Sequence, residues 1–103
     1  VAGYDETGPR LFSTDPSGAL MEYKASSEGS GRNGAMSYFE ENYKEGLSKD
    51  EGIMLAVKAL HQGTEEKVNP DATEIGIVGK DDTFHILPLE ESKAYVEKAI
   101  GGE

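Results

Sequence analysis

Arg10-Leu11-Phe12-Ser13-Thr14 is strand-like in composition, and apolar and polar residues alternate with period two from Met21 to Lys24. The period changes to three or four between Arg32 and Gln62, returns to two between Glu74 and Leu87, and ends in a second helical pattern. Asp15-Pro16-Ser17-Gly18 has the composition of a type I turn: an Asp to bond its own backbone, a Pro to preset φ, a small polar residue and a closing Gly. It joins two strands, with Met21 and Tyr23 on one face of the second and Glu22 and Lys24 on the other. A second turn signal, Asp5-Glu6-Thr7-Gly8-Pro9, precedes them, so strands over 1–5, 10–14 and 19–27 form a three-strand antiparallel meander.

Ser30-Gly31-Arg32-Asn33 is polar and glycine-containing, as a helix entry should be, and the pattern predicts a helix over 32–45 burying Ala35, Met36, Phe39 and Tyr43. Gly46 closes it. Ser48-Lys49-Asp50-Glu51 reads as a capping box opening a helix over 48–62, with Ile53, Ala56, Val57 and Leu60 as its apolar stripe and Gly63 as its stop. Thr64 to Asp71 is charged and contains a proline, which predicts an exposed loop. Strands over 73–79 and 83–87 then flank the polar turn Gly79-Lys80-Asp81-Asp82. Pro88 ends that hairpin, a helix over 89–100 follows with Tyr95, Val96, Ala99 and Ile100 on one side, and Gly101-Gly102-Glu103 is expected to fray. Strands, two helices, strands and a helix, in that order, give an α+β class with helices on one face of antiparallel sheet.

Composition narrows the function. A chain of 103 residues is within the range of one domain with a single core. It is 36% hydrophobic and 29% charged, and it has no apolar run near the ~18 residues of a membrane span, so a soluble globular protein is expected. Ten Lys plus Arg against 20 Asp plus Glu leave a net charge of −10, which disfavours any general grip on nucleic acid phosphates. Without cysteine the chain has neither disulfides nor thiolate metal sites. Val1 opens inside a predicted strand with no signal-like apolar segment, which reads as a fragment of a longer protein.

Several residues invite a chemical role. Gly29-Ser30-Gly31-Arg32-Asn33-Gly34 satisfies G-x-G-x-x-G, but a dinucleotide site needs a parallel βαβ unit and an acidic residue ~20 positions on at a strand end. Asp50 and Glu51 stand at the start of a helix instead, so a close strand-to-helix turn is the better reading. His61 and His85 have no i, i+4 histidine partner, and Asp71, Asp81 and Asp82 lack the alternating spacing of a calcium loop. Glu40-Glu41 and Glu90-Glu91 are adjacent along helices, where neighbours do not face each other, so they imply no acid–base dyad. The residues therefore predict no catalytic, cofactor-binding or metal-binding site, and no cofactor.

One pattern is more specific. Gly3, Asp5, Gly8, Pro9, Leu11, Asp15, Pro16, Ser17 and Gly18, followed by Tyr23-Lys24-Ala25 and Gly29-Ser30-Gly31, resemble the α-type subunits of the 20S proteasome, the archaeal kind most closely. The likeness continues through Tyr38 to Tyr43, Leu47 to Gly52, Leu55 to Leu60 and Thr73 to Val78 to the last helix, and it covers about the second half of such a subunit. Ser26-Ser27-Glu28 departs from the apolar or small run usual in the family, which implies an earlier strand end with Glu28 on a loop, or a shifted register.

The resemblance implies the second half of a four-layer αββα sandwich, the fold of the N-terminal nucleophile hydrolases, with two antiparallel sheets inside and helices outside. Met21, Phe39 and Ile77 would then share an interior. It also implies a non-catalytic structural subunit of the outer ring of the 20S core, enclosing the chamber and supporting gated substrate entry and regulator docking. Partners would be other α subunits in a seven-membered ring, β-type subunits and an ATPase regulatory particle, in the cytoplasm.

The family's chemistry needs a chain that begins with Thr, whose hydroxyl is the nucleophile and whose free amine takes the proton. This one begins with Val1, and Thr7, Thr14, Thr64, Thr73 and Thr83 lie in turns or at strand ends. The chain is thus expected to be a component of a threonine-type endopeptidase complex and no enzyme by itself, with gate and docking residues in the other half. Alone, it would leave a sheet face uncovered and self-associate. The alternative is a free-standing acidic module that binds a basic protein.

Overall fold

The computed structural model describes residues 1–64 and 68–101. The meander consists of β1 (Ala2–Asp5), β2 (Gly8–Thr14) and β3 (Leu20–Glu22), antiparallel in the order β1-β2-β3. Its two turns are closed by aspartates. Asp5 Oδ1 accepts from Thr7 N at 2.8 Å and Thr7 Oγ1 at 2.6 Å. Asp15 Oδ1 accepts from Ser17 N, Ser17 Oγ and Ala19 N, while Gly18 N donates to Asp15 O, and Gly18 takes φ +88°, a value that favours glycine.

The third strand is shorter than the predicted 19–27, and the reason is a single proline. Tyr23 N donates to Leu11 O at 2.9 Å, one bond beyond the strand's formal end. In register with Phe12 opposite Glu22, the next hydrogen-bonding position would set Ala25 against Pro9, which has no N–H to give. The N–H groups of β2 that face β1 belong to the alternate residues, so pairing of Tyr4 with Pro9 on that side is intact.

Helix α1 (Arg32–Asn42) stops three residues before the predicted 45. Glu40 and Glu41 stand in its last turn, where the helix dipole disfavours negative charge, and Asn42 Nδ2 donates to Tyr38 O at 3.0 Å. Tyr43 is already extended, at φ −69° and ψ 140°, and Glu45 reaches Lys24 Nζ at 3.3 Å. Helix α2 (Lys49–Gly63) begins with the capping box in full: Glu51 N donates to Ser48 Oγ at 3.2 Å and Ser48 N donates to Glu51 Oε1 at 3.0 Å.

Part of the stretch expected to be an exposed loop is structured. Val68 is buried, and Pro70–Ala72 forms a short 3₁₀ turn whose cap, Asn69, accepts from Asp71 N at 2.9 Å. Glu65, Glu66 and Lys67, from the same predicted loop, lie outside the described residues, as do Gly102 and Glu103. The second hairpin is β4 (Gly76–Gly79), shorter than the predicted 73–79, with β5 (Asp82–Ile86), one residue earlier than the predicted 83–87. Its turn is two residues, Lys80 and Asp81, and Asp81 sits in the left-handed region at φ +59°. Between the Ile77↔His85 and Gly79↔Asp82 pairs β5 holds one extra residue, which bends the ribbon. Helix α3 (Leu89–Gly101) ends the described chain.

The core lies where α2, α3 and the segment before β4 meet. Val57, Val68, Val96 and Ala99 are its buried centre, and Ile53, Met54, Ile75 and Ile100 pack around it. Two expectations are corrected here. On α2, Ala56 and Leu60 are exposed while Ile53, Met54 and Val57 face the core and Ala59 is buried, because α2 packs against α1 as well as α3. Met21, Phe39 and Ile77 do not share an interior: Met21 is 55% exposed, and Phe39 and Ile77 are half-buried outside the core. The radius of gyration, 13.9 Å, is above the ~13 Å typical of a chain of this length, as expected when sheet faces carry no second layer.

The Asp15 turn gives a pH-dependent prediction. The Ser17 hydroxyl, helped by the Ala19 and Ser17 amides, holds the Asp15 carboxyl below its ordinary value. A lowered folded pKa stabilises the fold above the unfolded carboxylate pKa of about 4, and that contribution is lost as pH falls through the lowered value. The stability difference between the natural chain and Asp15→Asn should therefore shrink as the pH is taken from 6 down to ~2. Carboxyl NMR titration should show the Asp15 pKa rising in Ser17→Ala. A difference that stays constant with pH would show that the turn takes nothing from the charge.

Candidate functional site

The glycine-rich segment is the motif that most invites a ligand, and its surroundings show what it does. Gly29 turns the chain at φ +106°, and Gly31 caps α1. A Cβ on Gly31 would lie 2.0 Å from the carbonyl oxygen of Gly63, and one on Gly63 would lie 2.5 Å from that of Gly31. A Cβ on Gly34 would come within 3.0 Å of Gln62 O. The space that a phosphate would fill over such a loop is taken by the backbone at the end of α2. Gly31, Gly34 and Gly63 form a seam on which two helices close, backbone to backbone.

The other candidates are dispersed. His61 is in the last turn of α2 and half-buried. His85 is exposed on β5, with Nδ1 3.1 Å from Thr83 O and 3.5 Å from an Asp82 oxygen. Asp71 pairs with Lys93 at 3.1 Å, and Asp81 makes the hairpin turn. Glu90 and Glu91 stand in the first turn of α3, where the helix dipole favours them. Among the described residues no group of three or more His, Cys, Asp or Glu is placed to hold a metal ion. Thr7 and Thr73 bond local acceptors, Asp5 Oδ1 and Asn69 O, and Thr64 Oγ1 donates to His61 O at 3.1 Å. Thr14 ends β2 and Thr83 lies in β5.

Two polar links escaped sequence reasoning. Arg10 donates through Nε to Glu22 at 2.5 Å and through Nη2 at 3.2 Å, reaches Thr7 Oγ1 at 3.0 Å, and lies 5.3 Å from the centre of the Phe12 ring. The hydrogen-bonded, negatively charged Glu22 carboxylate holds the guanidinium pKa above its ordinary value. Arg10, Phe12 and Glu22 share one face once Phe12 is set opposite Glu22, so the register was the missing signal. Tyr95 Oη donates to Asp50 Oδ1 at 2.6 Å across 45 residues of sequence, tying α3 to the start of α2 and raising the tyrosine pKa.

The larger feature is apolar. Leu20 and Met21 on β3 are 63% and 55% exposed, and Phe84 and Ile86 on β5 are 64% and 56% exposed. Phe84 lies over Gly76 on the paired strand, and a Cβ there would come within 2.8 Å of the ring. Phe84 and Ile86, two apart, share one face of β5, whereas Leu20 and Met21, adjacent, point to opposite faces of β3, so both sheets expose large apolar side chains. No helix among the described residues is long and apolar enough to cross a membrane, so lipid spanning by a helix does not account for them.

A family model described as proteasome subunit matches residues 1–78. The chain belongs to the proteasome subunit family. Across 101 residues it is 43% identical to a protein named proteasome subunit alpha from Methanosarcina acetivorans, covering 97% of this chain and 41% of that protein. Across 100 residues it is 45% identical to the one from Archaeoglobus fulgidus, covering 96% and 40%. The Methanopyrus kandleri protein of the same name is 43% identical over 103 residues, all of this chain and 42% of its own length. The chain thus spans about two-fifths of the length of these relatives, and the α+β architecture with antiparallel sheets is that of part of the family fold.

Proposed function

We propose that this chain is part of the wall of a non-catalytic outer-ring α subunit of a 20S-type proteasome core. It packs against the remainder of its own subunit and helps form a seven-membered ring with its neighbours, above a ring of β-type subunits. In this role it encloses the degradation chamber in the cytoplasm and supports gated substrate entry and the docking of an ATPase regulator. The threonine endopeptidase chemistry belongs to other chains of the complex.

The observation that carries this reading is the set of large apolar side chains exposed on the sheets, Phe84 and Ile86 on one face of β5 and Leu20 and Met21 on opposite faces of β3, in a chain whose relatives are named proteasome subunit alpha. A free-standing acidic module would keep such side chains inside or replace them with polar ones. Electron microscopy of the subunit containing this chain, produced with its β-type partner, should show end views with sevenfold symmetry. The α subunit purified alone should leave fluorogenic peptides uncut. Monomers that never enter rings, or peptide hydrolysis by the α subunit alone, would overturn the reading.

A related result is expected for residues 1–103 in isolation. Their uncovered faces should drive self-association in sedimentation velocity, and Phe84→Ser combined with Met21→Ser should shift the distribution toward monomer. A well-folded monomer at high concentration would show that these faces need no cover.

A further inference from the structure

We draw no further inference here: the strongest candidate, the exposed apolar patch of Phe84 and Ile86 on the outer strand of the second hairpin, belongs to the subunit packing already proposed, and nothing in the structure shows any other partner that covers it.

Discussion

Gly31→Ala should destabilise the fold by about 3 kcal/mol or more, although the substitution adds one methyl group at the surface end of a helix. The added carbon would sit 2.0 Å from Gly63 O and 2.7 Å from the carbonyl carbon. Both obstacles are backbone, so no side chain can swing aside and α1 must lift away from α2. The matched control is Gly52→Ala within α2, where among the described residues no atom beyond the neighbouring turns of its own helix lies within 4 Å of the new carbon. There alanine should stabilise by roughly 0.5–1 kcal/mol, because it restricts the unfolded chain and favours helix. Gly34→Ala falls between them: its 3.0 Å approach to Gln62 O allows a small adjustment, and its helical propensity offsets part of the cost.

Urea unfolding of the three variants in the proposed α subunit would give the order directly. Gly63→Ala meets the same seam from the other side, 2.5 Å from Gly31 O. The double variant should then cost clearly less than the sum of the two, since helices already parted by one methyl accommodate the other. If Gly31→Ala and Gly52→Ala change stability in the same direction, the helices do not close at these glycines. That outcome would also reopen the segment to a ligand-binding role.

Val96→Asp should abolish folding. Val96 has 0% exposure and sits among Val57, Val68 and Ala99 at the point where α2, α3 and the chain before β4 converge. An ionised carboxylate there loses its hydration to apolar neighbours, and even when it takes up a proton to stay neutral it leaves two oxygens to be satisfied. The expected loss exceeds ~4 kcal/mol, against a total stability of roughly 5–15 kcal/mol for a domain. The practical readout is loss of soluble subunit and of rings.

A graded series keeps that prediction open to measurement if the charged variant cannot be purified. Val96→Ala removes two methyl groups and should cost about 1.5–3 kcal/mol, whereas Leu60→Ala, at a side chain 43% exposed on the same helical layer, should cost much less in the chain alone. If Leu60→Ala proves the more damaging of the two within assembled rings, Leu60 is buried by a neighbour and the outer surface of α2 is an interface.

Local chemistry makes several elements legible from residue identity. The Asp15 turn depends on bonds reaching no farther than Ala19, and the capping box of α2 spans only Ser48 to Glu51. Such signals are complete within one turn of chain, so no distant partner is needed to read them. The family pattern is legible for the same reason, since it is made of turn-forming Gly, Pro and Asp at fixed offsets. The burial of Val68 is not, because a valine beside charged residues and a proline carries no periodicity, and its partners Val57 and Val96 come from two helices distant in sequence. The same limit applies to the α2 stripe: the 3.6-residue repeat identifies a helix, but Ala56 and Ala59 differ in exposure only because α1 packs on one side.

Turns, caps, the order of strands and helices, and the absence of thiol chemistry each follow from one residue or from a few adjacent ones, so the amino-acid chain settles them unaided. Long-range packing settles the rest: Pro9 ends the ladder to β3, three glycines form a helix seam where a nucleotide motif could be read, and the apolar strand faces stay open. Those outcomes depend on which atoms approach from elsewhere in the molecule, and a one-dimensional pattern holds no record of the distance between them.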